Sequence, residues 1–164
     1  MPETRQESDT EKTSVSTDIQ TLSEFNSEIK DCMNCPLGAS RTKFVFGVGN
    51  PNADLMFVGE APGEKEDLEG MPFVGRSGKL LTDILKAIDL TREDVYIANI
   101  LKCRPPNNRD PNKAEIEECE PYLLKQIELI KPKLLVALGR ISATTLLRTK
   151  DSLTSMRGQV FDYH

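Results

Sequence analysis

Nowhere in the 164-residue chain do apolar residues run for the ~20 positions that a bilayer-crossing helix needs. The opening MPETRQESDTEKTSVS is polar and has no apolar signal core. Neither a membrane span nor a leader is therefore expected, and the cytoplasm is the expected compartment. Nucleotide-binding signatures are missing too: neither the P-loop order Gly-x-x-x-x-Gly-Lys-Ser/Thr nor the dinucleotide pattern G-x-G-x-x-G occurs. No internal repeat is present. Excess positive charge is lacking, since the net charge is −5, which at first sight argues against a polyanionic partner. The deficit is local, however. Residues 1–31 carry eight acidic and three basic residues, and the remainder is balanced at eighteen of each, so a modest basic groove can exist in the body.

The stretch 1–17 is rich in Glu, Ser, Thr and Asp and cannot offset its ordering entropy by burial, so a mobile acidic tail is expected there, followed by one domain over 18–164. From Asp18 the apolar positions Ile19, Leu22, Phe25 and Ile29 recur at helical spacing and lead into Cys32. Beyond, strand-like runs at Phe44–Val48, Asp54–Val58, Val95–Ile100 and Lys133–Leu138 alternate with helical patterns at Gly78–Ile88, Lys113–Ile130 and Ser142–Arg148. Such alternation implies an α/β fold, with a mostly parallel central sheet covered by helices. The run Leu134–Leu138 is apolar without alternation, as expected of a strand buried on both faces. Ligands of such folds gather at the carboxyl ends of strands, which directs attention to the loops after Val58, Ile100 and Leu138.

Four cysteines are present and no fifth: Cys32 and Cys35 form a C-x-x-C pair, while Cys103 and Cys119 are single and distant. The spacing suits a four-thiolate site for an iron–sulfur cluster or for zinc, with two disulfides or four inert thiols as the plainer alternatives. The split second half mildly favours a cluster.

After the second strand comes Gly59-Glu60-Ala61-Pro62-Gly63-Glu64-Lys65-Glu66-Asp67, then Gly70-Met71-Pro72-Phe73-Val74-Gly75-Arg76-Ser77-Gly78. Glycines there let backbone N–H groups approach a ligand, and Pro62 and Pro72 stiffen the loop. An ordinary strand-to-helix turn would explain the glycines but not the acidic run beside Phe73. At the end of the next strand, Asn99 can present a donor and an acceptor together to an imide edge, or can cap the turn. Lys102, Arg104, Arg109 and Lys113 make a local basic stretch suited to phosphates, or a solvated loop.

Together these residues resemble the family 4 uracil-DNA glycosylases over about Ile29 to Tyr163. The resemblance is carried by C-x-x-C-x-L (Cys32, Cys35, Leu37), GEAPG with its acidic continuation (Gly59–Asp67), G-x-PFVG-x-x-G (Gly70–Gly78), Asn99 before KCRPPNNR (Lys102–Arg109), and Cys119 before Pro121-Tyr122. Family 5 enzymes usually carry leucine where Glu60 stands. The resemblance implies a three-layer α/β/α fold and a 4Fe-4S cluster held by Cys32, Cys35, Cys103 and Cys119. It implies a base-excision repair activity on uracil in single- or double-stranded DNA, carried by a monomer. A flipped uracil would stack on Phe73, Asn99 would read its polar edge, and Gly59, Ala61 and Gly63 would line the pocket. Ala61 follows Glu60 where family 1 enzymes carry a water-activating aspartate, which leaves Glu60 and Glu66 as the candidate bases. Lys102, Arg104 and Arg109 would meet DNA phosphates. Family members continue into a further strand and a His-Pro motif, whereas this sequence ends at His164, which aligns with the preceding hairpin. A chain without that motif is expected to be much weakened, since losing one oxyanion-type donor typically costs ~10²–10³ in rate. Two other readings stand beside this one: a non-enzymatic iron–sulfur module that docks on DNA, and a zinc-stabilised interaction domain.

Overall fold

The computed structural model describes residues 20–163. The expected acidic tail of residues 1–17 lies outside them. Thr21 opens helix α1 (Leu22–Ile29) with a capping box: its hydroxyl accepts from Glu24 N, and the Glu24 carboxylate accepts from Thr21 N. Phe25 and Ile29 are buried on its inner face, and the chain passes through Cys32 and Cys35 into the single turn α2 (Leu37–Ser40).

A four-stranded sheet follows, built from β1 (Val48–Gly49), β2 (Leu55–Gly59), β3 (Tyr96–Asn99) and β4 (Leu134–Ala137), in the spatial order β1-β3-β2-β4. β2 pairs in parallel with both β3 and β4, and only β1 runs antiparallel. Between β2 and β3 lie the short α3 (Glu64–Glu69) and the longer α4 (Arg76–Ala87). After β3 come a 3₁₀ turn at Pro106–Asn108 and α5 (Lys113–Ile130), and β4 leads into α6 (Arg140–Leu147) and α7 (Leu153–Met156).

Alternation along the strands builds the layers. Phe57 and Ile97 face Leu81 and Leu85 of α4, whereas Met56, Val58 and Ala98 join Leu123 and Ile130 of α5 and Leu146 of α6 on the opposite side. The expected α/β/α arrangement of helices around a mostly parallel sheet is what the chain adopts.

Two expectations need correction. The run Phe44–Val48 joins the ladder only at Val48; upstream, a lone bond from Val45 N to Lys102 O (2.8 Å) reaches past the end of β3, and Phe46 packs with Phe25 and Ile29 of α1. Among the described residues β4 is not buried on both faces: it lies at one edge of the sheet, and Leu134 is 50% exposed. Its flank forms one wall of an apolar hollow of about 350 Å³, which also takes in Leu146, Met156 and Phe161 and none of the candidate site residues. Among the described residues, no helix is long and apolar enough to cross a membrane.

Candidate active site

The register Gly59↔Asn99 sets these two residues side by side at the carboxyl ends of the central strands. The ladder continues past them, with Ile100 N donating to Gly59 O (2.9 Å) and Leu101 N to Glu60 O (3.0 Å). On the other side Leu138 N donates to Val58 O (2.8 Å), so the start of α6 arrives at the same rim. All three loops marked by the sequence therefore converge.

Gly59 is where the side chains meet. A Cβ there would lie 2.6 Å from Phe73 Cζ and would also run into Asn99 Oδ1. The missing side chain thus lets an aromatic ring and an amide converge on one backbone surface. Asn99 is 3% exposed, yet among the described residues nothing hydrogen-bonds its side-chain amide.

Phe73 adopts φ +53, a left-handed conformation that costs an ordinary residue ~1–2 kcal/mol. Several contacts hold it. Arg92 donates through Nη1 to Phe73 O (2.9 Å) and through Nη2 to Pro72 O (2.8 Å). Glu66 Oε1 accepts from Val74 N (3.1 Å) and Gly75 N (3.0 Å). A side chain at Gly78 would collide with the Phe73 carbonyl. Glu66 is therefore turned toward this loop. Neighbouring Asp67 is also buried, and its Oδ1 accepts from Thr42 N (2.8 Å), tying α3 to the segment after α2. Ala61 packs against the larger core cluster, and Gly63 is the N-cap of α3.

Glu60 is half-buried. Loss of hydration and then the nearby Asp110 carboxylate push its pKa above the usual carboxylate range, opposed by Arg140. Arg140 donates to Asp110 at 3.0 Å. Arg92 and Arg140 were not singled out by the sequence. The position of Arg140 just after a strand end was a usable signal, but nothing near Arg92 pointed to a site.

The basic stretch divides. Lys102 is 0% exposed, with Nζ donating to Asn99 O (3.0 Å) and Gln126 Oε1 (2.6 Å), so the expectation that it meets a DNA phosphate is overturned. Arg109 forks onto the buried Glu115 carboxylate at 2.6 and 2.9 Å. Arg104 bonds only Asn108 among the described residues, at 2.7 Å.

Cys32, Cys35, Cys103 and Cys119 line one hollow with Phe44 and Tyr122, and all four are free thiols. This sets aside the disulfide alternative. Among the described residues, no three His, Cys, Asp or Glu side chains are grouped to hold a metal ion. Donors reach three of these sulfurs: Lys102 N donates to Cys119 Sγ (3.2 Å), Tyr122 Oη to Cys32 Sγ (3.2 Å), and Arg41 Nη1 to Cys103 Sγ (3.5 Å). Burial pushes the Cys119 thiol up to about 12, so its thiolate needs cationic compensation.

A sequence profile described as the uracil DNA glycosylase superfamily matches residues 46–163. The chain is 48% identical over 148 residues to the type-4 uracil-DNA glycosylase of Archaeoglobus fulgidus, covering 88% of this chain and 74% of that protein. It is 49% identical over 144 residues to the type-4 uracil-DNA glycosylase of Thermotoga maritima, covering 87% and 75%. Likeness to the type-5 uracil-DNA glycosylase of Pyrobaculum aerophilum is weaker, at 30% over 122 residues, covering 65% and 54%.

Proposed function

The chain belongs to the uracil DNA glycosylase superfamily and, within it, to the type-4 enzymes, and from that premise we propose that it hydrolyses the N-glycosidic bond of uracil in DNA, leaving an abasic site for base-excision repair. The observation that carries the reading is the convergence of the Asn99 amide and the Phe73 ring over side-chain-free Gly59. A base extruded from the helix needs a π-face to replace its lost stacking, and Phe73 offers one. The Asn99 amide accepts from the uracil N3–H and donates to the adjacent carbonyl. Cytosine reverses both of those groups, so an amide held in this orientation does not match it.

Bond cleavage leaves negative charge on the departing base, and donors fixed at the strand ends stabilise it without reorganising. Glu60 takes the role at the attacking water, since Glu66 is occupied with the Val74 and Gly75 amides. Its half-buried carboxylate accepts the water's proton or orients it toward the sugar. Among the predicted phosphate contacts, Arg104 keeps that role, joined by exposed Lys79 from the hollow beside Phe73.

Cys32, Cys35, Cys103 and Cys119 hold a 4Fe-4S cluster in this reading. When bound it ties the segment after α1 to the β3–α5 connection and serves architecture rather than turnover.

Incubation with a uracil-containing single strand, followed by alkali, should yield nicked product. Asn99→Ala and Phe73→Ala should each lower the rate by ~10²-fold or more. Salt-sensitive DNA binding without release of uracil would instead identify a docking module, and stoichiometric zinc in a colourless protein would identify the zinc-stabilised domain.

A further inference from the structure

We propose that Arg92 is a positioning residue for base recognition: it holds the Phe73 ring over Gly59 by clamping the two carbonyls that flank the strained residue. The inference rests on the reading of Phe73 as the base-stacking face.

Among the described residues, six non-glycine residues have positive φ, and Phe73 is the only aromatic among them. Lys131 and Arg148 cap helices, where a left-handed residue satisfies orphan carbonyls. Phe73 ends no helix, so its conformation needs a different cause. Its carbonyl lies against α4, where a side chain at Gly78 would collide with it, and within reach of Arg92. The guanidinium is half-buried and, among the described residues, forms no ion pair; its donors go to Phe73 O and Pro72 O. Planar guanidinium nitrogens match two successive carbonyls in a way that no amine can.

The opposite polarity of the same loop is fixed separately, by Glu66 on the amides of Val74 and Gly75. One guanidinium on the carbonyls and one carboxylate on the amides thus pin both sides of a four-residue arch. Released from Arg92, Phe73 would relax to an extended φ, and its ring would leave the Gly59 surface. Arg92 borders the hollow lined by Phe73, Gly78 and Lys79, so a direct phosphate contact is the rival role.

The test is a double-mutant cycle on a uracil-containing single strand. Arg92→Met should lower kcat/KM by ~10- to 100-fold, the range expected from displacing a contact by about an ångström. In a Phe73→Ala background the same change should cost less than about twofold, because the ring it positions is gone. Arg92→Lys should not restore activity, and affinity for uracil-free DNA should stay unchanged. Additive losses, full rescue by lysine, or weaker binding to uracil-free DNA would each overturn the proposal, the last two in favour of a phosphate contact. Phe73→Trp supplies a readout independent of turnover: its emission maximum and anisotropy should shift when Arg92→Met is added. A wild-type protein that releases no uracil refutes the function, whereas unchanged emission refutes the clamp.

Discussion

At the scale of single residues, chemistry concentrates where a side chain is withheld. Gly59 leaves room for two neighbours, and Glu60, one position on, is half-buried beside Asp110. Because burial raises the Glu60 pKa, its carboxylate protonates at a higher pH than an exposed one. If ionised Glu60 is the working form, uracil release should fall as pH drops through that raised value. Glu60→Gln should lower kcat by ~10²-fold and remove that acidic limb, which a pH–rate profile of both proteins would reveal. The surroundings of Asn99, at the carboxyl end of β3, were legible from its place after an apolar run. Those of Lys102 and Glu66 were not, because a basic or acidic letter does not say whether its charge faces water. Lys102 is enclosed by Gln126 and the Asn99 carbonyl, and Glu66 by loop amides that lie beyond its own helix.

At the scale of elements, legibility followed local capping and periodicity. Helix α5 spans Lys113–Ile130 as its pattern indicated, because Asn112 and Glu115 close a capping box: Glu115 N donates to Asn112 Oδ1 and Asn112 N to Glu115 Oε2. Asn112→Ala should cost ~1 kcal/mol, measurable as a lower urea midpoint with unchanged slope. Acid should weaken the same helix end. The Arg109 fork holds the Glu115 pKa below its ordinary value, so its contribution is complete above that value and is lost as pH falls through the lowered one. Helix α3 was missed, because its N-cap is Gly63, with no side-chain capping bond, and Glu64–Glu69 offers a single apolar residue, Leu68. Phe44 and Phe46 misled as strand residues, because their partners on α1 are invisible to a local window.

At the scale of the whole molecule, the thiol hollow joins segments far apart in sequence: the link between α1 and α2, the connection after β3, and the middle of α5. A purified protein should be brown, with broad absorbance near ~400 nm and four iron atoms per chain. Removing the iron by oxidation and chelation should lower Tm and free uracil release together, since Lys102 lies between the site and the thiols, donating through its amide to Cys119 and through Nζ to the Asn99 carbonyl. Retained Tm and activity after complete iron loss would contradict this. The sheet was legible in outline because βα alternation survives in the sequence. The exposure of β4 was not, since an apolar run reads alike in the centre and at the edge of a sheet.

The strand order also constrains how the chain can be made. β2 sits in the middle of the sheet, but both of its neighbours, β3 and β4, lie downstream. During synthesis from the N-terminus, Met56 to Val58 emerge from the ribosome long before either flank exists to cover them. Cover for the second flank of β2 waits on Leu134–Ala137, so a pause in translation before that segment would prolong the period in which a chaperone or a second nascent chain could seize the bare strand.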